Sequence, residues 1–158
     1  MFFAMPATPP PEPPAIVQHV PVEAACVVTA SEYYGVPLVY VIGVMATEGG
    51  RVGECVKNTN GTRDCGPMQV NTVWQKKLAP YGITEPVLRD NGCLNVAVGT
   101  WILAQHLSKH PPWKAIGAYH SLTPRLNSAY QHRVYRRLQN IKDVQHVINR
   151  ANGLIRSK

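Results

Sequence analysis

Residues Pro37 to Gly50, PLVYVIGVMATEGG, spell out a helix and its end. Proline is preorganised for a first helical turn, and Leu38, Val41, Ile42 and Met45 recur at helical spacing, which predicts a buried apolar stripe. Glu48 falls three residues after Met45 and seven after Val41, so it continues that stripe instead of the solvent side. Gly49-Gly50 then stops the helix. A carboxylate at the tip of a buried stripe loses part of its hydration, which raises its pKa and lets it hold a proton near neutral pH.

Just downstream lies Cys55 to Asn71, CVKNTNGTRDCGPMQVN, too polar for a core segment and dense in turn residues. Asn60-Gly61 sits midway between its two cysteines and favours a tight hairpin turn. The chain has four cysteines, Cys26, Cys55, Cys65 and Cys93, with no CxxC pair, which fits two disulfides better than a zinc ribbon or a redox motif. Three connectivities are open; Cys55 with Cys65 is the local one and leaves Cys26 for Cys93. Disulfides imply an oxidising compartment. Met1 to Met5, MFFAM, lacks the basic and long apolar regions of a secretory leader. The expectation is an exported, periplasmic protein whose leader has been removed or precedes the start shown.

Working outward, residues 1–21 hold seven of the fourteen prolines, a composition that predicts a flexible, extended tether outside the domain. A helix is predicted from Val22 to a stop at Gly35, a short one from Thr72 to Leu78, and a brief one after Thr84. A longer helix follows over about 91–108, then a short helical piece over 113–120 and a last helix over about 126–150. The last is expected to bury Leu126, Tyr130, Val134, Leu138 and Ile141. No repeat and no alternation of strands with helices appears, so the fold class is α+β, predominantly α, with one small β-hairpin. The organisation predicted is a Pro-rich segment (1–21), one domain (22–150) and a basic C-terminal tail (151–158).

At 158 residues the chain has room for one real core. Its longest apolar run, Val39 to Ala46, is far too short to span a bilayer. The net charge of +7 is uneven: acids and bases cancel through residue 124, whereas residues 125–158 carry eight Lys or Arg against Asp143 alone. Nucleic acid, acidic lipid and acidic wall polymer satisfy such a segment equally.

The ordered blocks, Glu48 at the end of an apolar helix, then NTNGTRDCGPMQVN, CLNVAVGTWIL (93–103) and AYHS (118–121), resemble the lytic transglycosylase domain related to goose-type lysozyme. The likeness covers about residues 23–138 and is strongest to the small branch associated with type IV secretion, conjugation and pilus systems. It implies a lysozyme-like fold and cleavage of peptidoglycan glycan strands without hydrolysis. Glu48 takes the role of the family's single acid. It protonates the glycosidic oxygen between N-acetylmuramic acid and N-acetylglucosamine, then accepts the proton of the muramoyl C6 hydroxyl as the 1,6-anhydro ring closes. Ordinary glycosidases use two carboxylates. Asp64, the nearest second one, reads as a residue that satisfies hairpin amides.

By the same resemblance Met68, Gln69 and Asn71 border the glycan cleft, Tyr119 places its hydroxyl near the catalytic carboxylate, and His120 contacts substrate. Two positions depart from the commonest pattern: Gly49 stands where a serine often follows the acid, and His120 where an asparagine often follows Ala-Tyr. No cofactor is implied. His106 and His110, four apart, lack a third ligand and read as surface residues rather than a metal site. Trp74, Trp101 and Trp113 are candidates for stacking on sugars, with Trp101 better suited to the core. The expected partners are glycan strands and components of an envelope machine. Two alternatives stand beside this reading: a muramidase-type hydrolase using Glu48 and a water, and a non-catalytic module that binds wall polymer or nucleic acid.

Overall fold

The computed structural model describes residues 8–15, 18–141 and 143–155. The described residues form eight α-helices and a small sheet: α1 (Ala24–Tyr34), α2 (Leu38–Glu48), α3 (Gln75–Leu78), α4 (Glu85–Asp90), α5 (Gly92–Leu107), α6 (Pro112–His120), α7 (Pro124–Asn140) and α8 (Val144–Ala151). The strands β1 (Cys55–Lys57), β2 (Arg63–Cys65) and β3 (Val70–Asn71) lie between α2 and α3. This is a mainly α, lysozyme-like architecture.

Helix α2 is central because its sequence is apolar on almost every side: Val41, Ile42, Val44, Met45 and Ala46 are all buried. It packs on α1, α7 and α8. Leu38 was predicted to belong to that stripe, yet it is 37% exposed, since the first turn projects past its neighbours. Helix α5 is also enclosed, and Asn95 within it has no exposed surface. Its amide donates to the carbonyls of Cys65 (2.8 Å) and Leu88 (2.9 Å) and accepts from the Met68 amide (2.9 Å). One buried side chain thereby satisfies three backbone groups, one each from β2, α4 and the loop after β2, which would otherwise be costly to bury.

The sheet has one strand more than the predicted hairpin. β1 and β2 pair antiparallel with Cys55 opposite Cys65, and β3 adds to the free edge of β2 with Asn71 opposite Asp64. Gly66 links the two pairings at φ +70°, and a Cβ there would strike the Asn95 side chain and the Leu88 carbonyl. The disulfides are Cys26–Cys93, tying α1 to α5, and Cys55–Cys65 across the hairpin.

Two predicted segments differ. The single helix expected over 126–150 is two: α7 ends at Asn140, the next residue Ile141 has an extended backbone (ψ 114°), and the Asp143 side chain accepts from the His146 amide to cap α8. The turn lets Val147, Ile148 and Ala151 fold back onto the core, while Leu126, predicted to be buried, is 42% exposed. Nor does the Pro-rich segment stand clear of the domain where it is described. Tyr34 donates to the Pro9 carbonyl (3.2 Å), the Trp101 indole to the Thr8 carbonyl (2.9 Å), and Val20 bridges to Asn91. An extended proline-rich strand leaves its carbonyls free, and two aromatic donors on α1 and α5 take them. Residues 1–7 and 16–17 of that segment, and 156–158 of the predicted tail, lie outside the described residues.

Candidate active site

Glu48 is the last residue of α2, and Gly49 caps the helix at φ +62°. That left-handed residue turns the chain away while the Glu48 side chain remains on the buried stripe. The carboxyl borders a cleft of about 530 Å³, shared with Asp64, Gln69, Asn71, Trp74, Tyr119 and His120. Burial pushes its pKa up to about 7. Two groups oppose the rise, the Tyr130 hydroxyl and the Arg133 cation, and Asp64 adds to it.

The hydroxyl that meets the acid belongs to Tyr130. It donates to Glu48 Oε1 at 2.6 Å from α7, and its ring is buried, 1% exposed. That leaves Oε2 as the oxygen free to carry a proton into the cleft. The Tyr130 ring is itself held on two sides. His120 stacks on it at 5.1 Å with planes 6° apart, and the Arg133 guanidinium lies 5.1 Å from its centroid. Burial and the acid keep the phenol far above its ordinary pKa, so it acts here as a donor only.

Tyr119, expected to place its hydroxyl near the carboxylate, donates that hydroxyl to the Met68 carbonyl at 2.7 Å and borders the same cleft as Glu48; burial, helped by the Glu48 charge, raises its pKa. Its register on α6 points the hydroxyl at the loop after β2 and braces the cleft wall. Met68, expected to face sugars, has no exposed surface; its side chain packs on Gly99 of α5, and only its backbone serves the wall. Gln69 does border the cleft. It holds φ +51°, unusual for a residue with a Cβ, and its amide donates to the Gly66 carbonyl (3.0 Å). Asn71 caps the following 3-10 turn (Thr72–Trp74) and donates to Asp64 (2.8 Å), which also accepts from Asn58 (3.0 Å). His120 lines the cleft; burial and the neighbouring Arg133 hold its imidazole below its ordinary pKa, so it is largely neutral near pH 7.

Sequence reasoning classed Tyr130 as core filler. The spacing of Tyr130 and Arg133 on one face of α7, i and i+3, is the only local sign of their joint position. Trp74 lines the cleft and meets Trp101 edge-on at 5.7 Å, whereas Trp101 is core and Trp113 lies outside the cleft. His106 also borders the cleft, with burial depressing its pKa. Among the described residues the one grouping of metal-type ligands is Cys55, Cys65 and Glu85. Its two sulfurs are bonded to each other, and Glu85 takes a bidentate bond from Arg63.

Residues 25–141 match the family described as the transglycosylase SLT domain. The chain is similar to protein IpgF of Shigella flexneri, 31% identical over 102 residues that make up 63% of this chain and 67% of that one. It is similar to invasion protein IagB of Salmonella typhimurium, 32% identical over 105 residues, 63% of this chain and 64% of that one. A third relative, the peptidoglycan-binding-like protein of Escherichia coli O157:H7, is 35% identical over 101 residues, 62% of this chain and 57% of that protein. The match thus spans about two thirds or less of each relative's length. The chain belongs to the transglycosylase SLT domain family.

Proposed function

We propose that the chain is a peptidoglycan lytic transglycosylase with Glu48 as both acid and base. Oε2 protonates the glycosidic oxygen between N-acetylmuramic acid and N-acetylglucosamine, and the bond from that oxygen to muramoyl C1 breaks, so that the N-acetylglucosamine side leaves as an alcohol. The resulting carboxylate then accepts the proton of the muramoyl C6 hydroxyl as that oxygen bonds to C1 and closes the 1,6-anhydro ring. The group ends protonated, as it began.

The observation that carries this reading is the placement of Glu48, a carboxyl at the end of a buried helix with one hydroxyl donor and an open cleft beside it, where burial raises its pKa to about 7. A group that must give and then take a proton works best with a pKa near the working pH. The other carboxylate bordering the cleft, Asp64, has two amide donors on its oxygens and is poorly free to activate a water. Gln69, Asn71 and His120 offer the cleft's polar contacts to N-acetyl and hydroxyl groups. Two disulfides and relatives that include an invasion protein support a periplasmic site of action, where local opening of the wall serves an envelope-spanning machine.

Product analysis tests the chemistry. Digestion of purified sacculi is expected to give muropeptides ending in 1,6-anhydro rings. Dominant reducing ends would instead assign a hydrolase, and absence of any Glu48-dependent product would leave only a binding module.

A further inference from the structure

Arg150, near the end of α8, has no ion-pair partner among the described residues. Its Nε is buried and has no hydrogen-bond partner. One guanidinium nitrogen lies 2.8 Å from where a Cβ on Gly49 would stand, so the side chain covers the turn that follows Glu48. Among the described residues the ion pairs are Arg63–Glu85 and Arg89–Asp90, and neither involves Arg150. Burial lowers its pKa, and the cations of Arg137 and Arg51 lower it further.

Arg150 and Arg137 border a pocket of about 100 Å³ together with Gly49, Gly50, Asn140 and His146. Asp143 also borders it, but its Oδ1 accepts from the His146 backbone and its carboxylate forms no ion pair with either arginine. A second cavity, of about 430 Å³ and bordered by Thr47, Arg133, Arg136, Arg137 and Asn140, shares Arg137 and Asn140 with the first and has no acid on its wall. A partly desolvated cation facing other cations is stabilised by an anion that completes it. The volume admits one small oxyanion and excludes a sugar ring, and guanidinium forks match such groups in two parallel hydrogen bonds.

We propose that the pocket behind Gly49-Gly50 is a binding site for a small oxyanion, a carboxylate or phosphate group, held by Arg150 and Arg137. Occupancy fixes the guanidinium over Gly49 and thereby orders the turn that positions Glu48. The site does not depend on the transglycosylase reading. Two sources offer this chemistry: free phosphate, and the carboxylates of peptides attached to wall glycan.

Thermal melting of the disulfide-intact chain tests it without measuring activity. Sodium phosphate is expected to raise Tm saturably by several degrees in the millimolar range, while sodium chloride at matched ionic strength does not. In Arg150→Met, which keeps the apolar stem and removes the charge, Tm without phosphate is expected to stay equal or rise, and the phosphate response to vanish. Equal responses to the two salts, or an undiminished phosphate response in that variant, overturn the proposal. Should Arg150→Met fail to fold, Arg137→Gln, on the exposed face of α7, decides: the proposal requires at least a fivefold higher half-saturating concentration, and no change overturns it. Acetyl-L-alanyl-D-glutamate in place of phosphate separates the sources. A saturable rise that competes with phosphate supports the wall-peptide carboxylate, and a response to phosphate alone supports the free ion.

Discussion

Two carboxylates border one cleft and are treated in opposite ways. Glu48 ends a buried helix, has a single hydroxyl donor on Oε1, and is driven up to a pKa of about 7. Asp64 lies in the middle strand of the sheet, where Asn58 and Asn71 each donate an amide hydrogen to it. Burial with few donors leaves a carboxyl reactive, whereas amides on both oxygens turn a carboxylate into a piece of architecture. Each region also has its own fastening, apolar packing for α2 and a disulfide with side-chain amides for the sheet.

The comparison breaks most visibly at Glu48. Glu48→Gln is expected to lower turnover on sacculi by about 10³-fold, within the range for losing a positioned acid and base, while the equivalent change at Asp64 costs far less. The same variant should reveal the penalty of burying the acid. A folded pKa above the unfolded value near 4.5 means the folded chain holds the proton more tightly. Glu48's favourable contribution is therefore complete below about pH 4.5 and is lost as pH rises through about 7. Glu48→Gln should match the parent in stability near pH 4 and exceed it by about 2 to 3 kcal/mol at pH 8 in denaturant titrations. A variant less stable than the parent at pH 8 would show that the carboxylate is structurally paired.

The sheet should fail by a different route. Cys55 and Cys65 close a loop with a separation of ten residues. Replacing both with serine is expected to cost about 2 to 3 kcal/mol in the chain-entropy treatment, read as a lower denaturation midpoint. Because Gly66 and Gln69 continue directly from this bridge, KM is expected to rise more than kcat falls. A fall confined to kcat would place the hairpin in the chemistry rather than in the wall of the cleft.

Tyr130 belongs with Glu48, and removing its hydroxyl isolates the one donor. Tyr130→Phe keeps the stack with His120 and is expected to lower kcat about tenfold, the value of roughly one hydrogen bond to a reacting group. The sign in pH is specific. The hydroxyl lowers the Glu48 pKa, so its loss should move the alkaline limb of the pH–rate profile upward. A limb that stays in place would mean the phenol only packs.

These residues also mark what could be read without coordinates. The stripe on α2, the stop at Gly49, the hairpin and both disulfide pairs follow from local spacing, turn chemistry and cysteine arithmetic, all of which act within a few residues or leave few alternatives. Glu48 stood out for the same reason. Tyr130 did not, because its meeting with Glu48 spans 82 positions and depends on how α7 crosses α2. The contacts of Met68 and Tyr119 were hidden similarly: a Met in a polar loop gives no sign that Gly99 leaves it a socket, or that its carbonyl is the tyrosine's acceptor. The break before α8 was missed although a local signal exists. Asp143 three residues ahead of His146 is an ordinary helix-capping signal, obscured by the apolar periodicity on both sides.

The smallest effect expected tests the architectural half of the comparison. Asp64→Asn offers one acceptor oxygen where the carboxylate offered two, so the new amide nitrogen must face the amide of Asn58 or of Asn71. One lost bond at a partly exposed site is worth about 1 kcal/mol, read as a modest drop in Tm. Turnover at the optimum should fall less than about fivefold, since the group moves no proton. Its charge still raises the Glu48 pKa, and removing it should shift the alkaline limb downward, opposite to Tyr130→Phe. Opposite shifts of the limb, a tenfold effect from a hydroxyl on α7 and a smaller one from a carboxylate on β2, are the pattern expected of one acid tuned by two neighbours. A loss in Asp64→Asn as deep as in Glu48→Gln would instead make the cleft a two-carboxylate site and assign Asp64 to activating water.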